Sequence, residues 1–137
     1  MQPAGVSLAR NARIGQALSL LPSMASMPPG DPVREAAMSA LFLPGQPMDY
    51  QRVYGKDGLI NRSFIAFGNY NFGVVAAAAG YTKKQAHLAA GAANLLGSGD
   101  KSGPDFNNPL NIPFIDAGYD AYKAGRIAKP GSDHLEK

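Results

Sequence analysis

The run Val74-Val75-Ala76-Ala77-Ala78-Ala79, closed by Gly80, constrains this chain more than any other stretch. Alanine is the strongest helix former, and a helix with no polar residue on any side is a buried one. The run is far too short for a membrane, which needs about 20 apolar residues, and no stretch of the chain approaches that length. Directly before it stands IAFGNYNFG, Ile65 to Gly73, with two asparagines, two glycines and three aromatic rings. Either this prelude is a tight backbone feature needed for packing, or it sets a polar site on the lip of the buried helix.

The remaining elements follow from periodicity and punctuation. Val6 to Leu21 reads as a first helix, with Leu8, Ile14, Leu18 and Leu21 near one face and Arg10, Asn11 and Arg13 largely on the other. Pro22 and Pro28-Pro29-Gly30 break it. Asp31 is placed to cap, and Pro32 to open, a second helix running through Val33, Ala37, Ala40 and Leu41 and ending before Pro44. Residues 44–62 read as an ordered loop with at most a short strand, because Met48, Tyr50, Val53, Tyr54, Leu59 and Ile60 are too apolar to stay solvated. A third helix opens at Asn71 or nearby and ends at Gly80, a left-handed cap. Thr82-Lys83-Lys84-Gln85 has capping-box spacing and starts a fourth helix that runs to Leu96, where Gly97 closes it. Its Ala89-Ala90-Gly91-Ala92-Ala93 segment permits close approach of another helix. After a polar loop, a last helix spans Ile112 to Tyr122, with Ile115, Tyr119 and Tyr122 in a stripe. The expectation is an all-α single domain over residues 1–128, of about five helices, with room for a small β-hairpin in the 45–66 loop. Residues 129–137 form a flexible tail.

Composition excludes several classes. At 137 residues the chain supports one core. Cysteine is absent, so disulfides and thiolate metal sites are out, and His87 and His134 alone cannot make a histidine-rich centre. No metal and no cofactor is expected; a bound metal would have to be a hard cation on carboxylates and carbonyls. The net charge of +3 suits an anionic partner such as RNA, a lipid surface or a wall polymer. No dense Lys/Arg cluster marks a reader of DNA sequence. The first residues make a poor signal peptide, since Gly15, Gln16 and Ser19 interrupt the apolar part.

Four groups of residues are candidates for chemistry. In the prelude, Asn69 and Asn71 offer donors and acceptors, while Gly68 and Gly73 let the main chain bend or approach a ligand. A helix starting there would point free amides at an anionic or polyhydroxylated substrate; the plainer alternative is a turn and cap with Phe67, Tyr70 and Phe72 in the core. The middle loop, Met48 to Asp57, packs Asp49, Tyr50, Arg52, Tyr54, Lys56 and Asp57 together. Asp49 suits a general base, with Arg52 or Lys56 stabilising developing negative charge; a solvated surface carboxylate is the alternative. His87 lies in an alanine-rich helix, where a hydrogen-bonded structural histidine competes with a catalytic one. Asp116 and Asp120 are four apart, hence on one helix face, with a solvated face as the default. Glu35 is explained by the helix dipole alone.

Three blocks in order, PGQPMDYQ (Pro44 to Gln51), FGNYNFGVVAAAAGY (Phe67 to Tyr81) with the following LAAGAANL, and NIPFIDAGYDAY (Asn111 to Tyr122), resemble the bacterial polymorphic toxin type 44 family. The Arg10-Asn11-Ala12-Arg13 element is similar to one in some members, so the resemblance spans about Leu8 to Gly125. Asp49 matches the family's aspartate, and Asn69 and Gly73 its Gly-Asn-x-x-Tyr-Gly element. Met48 replaces the family's tryptophan, Gln51 its lysine and Phe72 its tyrosine. Asn111 stands for an aspartate, and Ser7 for a glutamate found in some members.

The resemblance implies a secreted antibacterial effector domain, delivered into a rival bacterium and neutralised by a cognate immunity protein. It implies cleavage of a bacterial polymer, with RNA first. A metal-free RNase needs a base, cations for the phosphorane oxygens and an acid for the leaving group. Asp49 or His87 supplies the base, Arg52 and Lys56 the cations, Asn69 and Asn71 hydrogen bonds, and Tyr50, Tyr54 and Tyr70 stacking on unpaired bases. Two alternatives belong to other classes. One is a lysozyme-like peptidoglycan glycosidase, which needs a protonated carboxyl at the scissile bond and would act in the periplasm. The other is a binding or adaptor module that keeps the fold after losing its chemistry. An RNase would act in the target's cytoplasm.

Overall fold

A computed structural model describes residues 2–20, 32–43, 46–52, 62–95 and 100–127. Among them lie five α-helices: α1 (Leu8–Leu20), α2 (Pro32–Phe42), α3 (Ile65–Ala78), α4 (Lys83–Leu95) and α5 (Ile112–Lys123). Three single-turn 3-10 segments, Tyr50–Arg52, Arg62–Phe64 and Pro104–Phe106, join them, and the described residues contain no strand. The all-α expectation holds. The hairpin allowed for 45–66 is absent from the described part of that segment, whose residues 62–66 are already helical.

The alanine run behaves as its lack of a polar face requires. α3 is the central helix, and every residue from Asn71 to Ala79 is buried. It begins at Ile65, six residues earlier than expected. IAFGNYNFG is therefore two turns of α-helix and not the approach to one, so from Asn69 onward its amides are spent inside the helix. Phe67, Phe72, Val74, Val75 and Ala76 fill the core with Leu8, Met38, Met48, Tyr50, Ile115 and Tyr119.

Two glycines set how near α5 comes. A Cβ placed on Gly73 would lie 2.0 Å from the Ile115 carbonyl oxygen, and one on Gly118 would lie 1.9 Å from the Tyr70 carbonyl oxygen. The two backbones thus touch directly, each glycine lying against the main chain of the other helix. α1 approaches the other flank through Gly15, whose hypothetical Cβ would be 2.8 Å from both the Ala78 Cβ and the Val75 oxygen.

Helix ends follow local sequence closely. Thr82 and Gln85 form the expected capping box: the Thr82 amide donates to Gln85 Oε1 at 2.9 Å, and the Gln85 amide to Thr82 Oγ1 at 3.1 Å. Gly80 has φ +87°, with Tyr81 N bonded to Ala76 O and Gly80 N to Ala77 O, a Schellman closure. Gly125 closes α5 in the same way.

Two side-chain expectations are corrected. On α1, Ile14 is 36% exposed whereas Asn11 is 1% exposed, so the inward stripe is made of Leu8, Asn11, Ala12 and Gly15. Small residues face in because α3 is so close. On α4, Gly91 receives a loop and not a helix: its hypothetical Cβ would strike the Asp105 carbonyl. Asp31, Gly97, the residues 53–61 and the tail from Ala128 lie outside the described residues.

Candidate functional site

Three separated sequence blocks meet beneath the N-terminal half of α3. Asn11 of α1 points inward, and its Nδ2 donates to Tyr50 Oη at 2.7 Å and to Asn71 Oδ1 at 2.9 Å. Asn71 is fully buried, and its own Nδ2 lies 3.7 Å from Met48 Sδ, a weak sulfur acceptor. The Tyr50 ring packs on Phe67 with centroids 5.5 Å apart. Buried amides require such partners, since each one left unpaired costs about 1–3 kcal/mol. The cluster therefore fixes where the Met48–Arg52 segment sits on α3.

Above this cluster lies a half-buried rim. Asp49 follows Met48 and precedes the Tyr50–Arg52 turn. Gln51 lies across Gly68, its Cγ 3.3 Å from where a Cβ would be. Asn69 and Tyr70 follow Gly68 on α3 and are half-buried, with the Tyr70 carbonyl against Gly118 of α5. The Asn69 Nδ2 bonds back to the Ile65 carbonyl at 2.9 Å, leaving Oδ1 as the side chain's remaining polar atom. The turn Arg62–Phe64 packs against Tyr50–Arg52 and carries an exposed arginine.

The structure thus brings Asp49, Tyr50, Gly68 and Asn71 together, while Gly73 and the Tyr70 main chain lie against α5. Tyr50 and Asn71 are buried in the hydrogen-bonded cluster and present no surface to a substrate. Gly73 serves the α3–α5 contact, and Gly68 makes room for Gln51. Arg52 ends its 3-10 turn, with its side chain outside the described residues, as are Tyr54, Lys56 and His134.

His87 belongs to a different assembly. Its Nε2 pairs with Asp116 Oδ1 at 2.6 Å, and four residues earlier Lys83 Nζ pairs with Asp120 at 2.8 Å. These two rungs join α4 to α5, and Tyr119 Oη donates to the Tyr81 carbonyl alongside them. Lys83 has its pKa raised, first by the hydrogen bond to Asp120. The face on which Asp116 and Asp120 lie is thus paired and not simply solvated.

The loop after α4 is also tied down. Lys84 binds Asp105 at 2.7 Å, Asn94 Nδ2 donates to the Asp100 and Phe106 carbonyls, and buried Asn107 donates to the His87 carbonyl. Asp105 and Phe106 both hold positive φ, +55° and +63°, which costs non-glycine residues energy that these anchors offset. Asp100 has its pKa lowered by the Ser102 side chain and then its amide.

Sequence reasoning missed Asn11 as a member of the site. It stands among arginines on what reads as the polar face, and only its partners 39 and 60 positions away reveal its place. No family model, curated protein or solved structure matches the chain.

Proposed function

We propose that the chain is the polymer-cleaving domain of an antibacterial effector, of the type 44 polymorphic toxin kind, acting on RNA. The observation that carries this reading is the meeting of Asn11, of Met48 and Tyr50, and of Asn71, drawn from three of the elements on which the family resemblance rests, in one hydrogen-bonded cluster. Residues so distant in sequence and so close in space are the expected form of a site braced from below. Asp49 is the group at its rim with acid–base chemistry. In the reaction the Asp49 carboxylate takes the proton of a ribose 2′-hydroxyl, and the 2′-oxygen bonds to phosphorus. The P–O5′ bond breaks, and the leaving oxygen takes a proton from solvent. In this reading Asn69 Oδ1 accepts from a ribose hydroxyl. A cytoplasmic target and a cognate immunity protein follow from the same reading.

Asp49 is preferred to His87 as the base because it directly precedes Tyr50 of the cluster that joins the resembling elements, whereas His87 belongs to the ladder that holds α4 to α5. Glycan cleavage ranks lower. It calls for a pair of carboxylates flanking one bond, and Asp105, Asp116 and Asp120 are each bound by a cation or histidine. A binding module with the same fold is the second reading, favoured by the packing roles of Gly68, Gly73 and Asn71. No helix among the described residues is long and apolar enough to cross a membrane.

The test is to incubate the purified chain separately with total RNA and with purified sacculi. RNA fragments ending in 2′,3′-cyclic phosphate, abolished by Asp49→Asn with the helical spectrum intact, are expected. Intact RNA with released muropeptides would overturn the substrate, and two intact substrates would favour the binding module.

A further inference from the structure

The cations among the described residues divide into paired and unpaired. On the α4–α5 side Lys83, Lys84 and His87 are matched to Asp120, Asp105 and Asp116. Lys123 and Arg126, at and just past the end of α5, and the arginines of the α1 side have no such partner among the described residues. Arg10 and Arg13 are exposed, lie three apart on the outer face of α1, and make no ion pair among the described residues. α1 contains no aspartate or glutamate, so nothing within the helix relieves their repulsion. Arg62 is likewise exposed and without an ion pair among the described residues, on the turn that packs against Tyr50–Arg52. Asn11, which lies between the two α1 arginines in sequence, reaches Tyr50 from the inner side of the helix, so α1 lies beside the segment that carries Asp49.

We infer that Arg10, Arg13 and Arg62 form the phosphate-binding surface of the domain, holding the backbone of a single-stranded RNA whose scissile linkage lies at Asp49. This rests on the proposed RNA cleavage and specifies how the substrate is held. Guanidinium groups suit the role because they bind phosphate oxygens bidentately and keep their charge at any physiological pH. The strand is single because the surface is a convex helix flank with isolated cations. Such a flank can follow a flexible backbone, whereas duplex RNA is recognised by its shape across successive grooves.

The surface is tested by fluorescence anisotropy with a labelled oligouridylate over a series of NaCl concentrations. The full chain is used in an Asp49→Asn background so that the probe stays whole. Each single-strand phosphate contact contributes about 0.7 to the slope of log K against log salt. Arg10→Gln with Arg13→Gln should make that slope shallower by about 1.4, and Arg62→Gln alone by about 0.7. Lys84→Gln, on the paired flank, should leave it unchanged. Unchanged slopes in all arginine variants, or an equal loss in Lys84→Gln, would overturn the surface. Arginine-dependent retention of polyglutamate without RNA binding would assign the flank to an acidic protein partner and overturn the RNA assignment. Cleavage of total RNA with unaltered slopes removes this surface and leaves the cleavage reading standing. Arginine-dependent binding without cleavage by the wild-type chain does the reverse.

Discussion

Gly73→Ala tests the central contact of the fold. In an isolated helix this exchange is favourable by about 1 kcal/mol, because alanine gives up less backbone freedom than glycine. Here the new methyl would sit 2.0 Å from the Ile115 oxygen and 2.8 Å from the Tyr119 nitrogen, more than an ångström inside ordinary contact with the first. Both atoms are main chain, so no rotamer change relieves the clash, and α3 and α5 must move apart. That loosens Phe72, Val74, Ile115 and Tyr119, which lie at or near full burial. Overpacking at a rigid site costs about 3 kcal/mol, and subtracting the propensity gain leaves a net loss of about 2 kcal/mol. Urea unfolding followed by far-ultraviolet circular dichroism should show a midpoint lower by about 1 M, for a slope near 2 kcal/mol/M. Gly118→Ala should behave alike, since its methyl meets the Tyr70 oxygen. Gly68→Ala, five residues away in the same helix, should do the opposite. Its methyl meets the movable Gln51 side chain at 3.3 Å and the Gln51 backbone nitrogen at an ordinary 3.9 Å, so it should be neutral or stabilising by up to about 1 kcal/mol. If Gly73→Ala matches or exceeds wild-type stability, the backbone contact between α3 and α5 is refuted.

Asn11→Ala should cost about 2–3 kcal/mol in the same assay, since it removes two buried hydrogen bonds and strands Tyr50 Oη and Asn71 Oδ1. Asp116→Ala should cost about 1 kcal/mol, the discounted worth of a half-exposed charge-assisted pair, and hydrogen exchange should quicken in α4 more than in α3. The Asp100 carboxyl, followed by NMR, should titrate below the usual aspartate range and move back toward it in Ser102→Ala. Because its folded pKa is depressed, its contribution is complete above the unfolded value of 3.8 and fades as pH falls through the folded one. Lys83 runs the other way: its folded pKa is raised by Asp120, so its contribution is complete below 10.5 and is lost only as pH climbs through the folded value, which Asp120→Asn should lower.

What could be read from the sequence was local. The Thr82–Gln85 box and the Gly80 closure are each encoded within a few residues, and both appear as expected. The start of α3 is misplaced because Ile65, Phe67, Gly68, Asn69 and Tyr70 are middling or poor helix formers. Burial against Tyr50, Gln51 and α5 keeps them helical, and none of those contacts is visible in a short window. Ile14 and Asn11 exchange the faces their polarity suggests because the space beside α3 admits only small groups and a polar cluster awaits the amide. The pairing of His87 with Asp116 joins residues 29 apart, which helical spacing cannot reveal. For the candidate site, the order of the blocks brought Asp49 and Asn69 forward as partners. The brace beneath them, Asn11 with Tyr50 and Asn71, depends on packing distant segments together.

The position of α3 also has a consequence for biosynthesis. Its two flanking walls lie far apart in sequence, α1 (Leu8–Leu20) before it and α5 (Ile112–Lys123) after it. A nascent polypeptide still lacking α5 leaves the alanine-rich helix uncovered on one side, with the glycine groove vacant and Tyr81 without the phenol of Tyr119. The domain therefore cannot close until α5 has been made, and a chain released before that point would present a sticky apolar surface in place of a closed core.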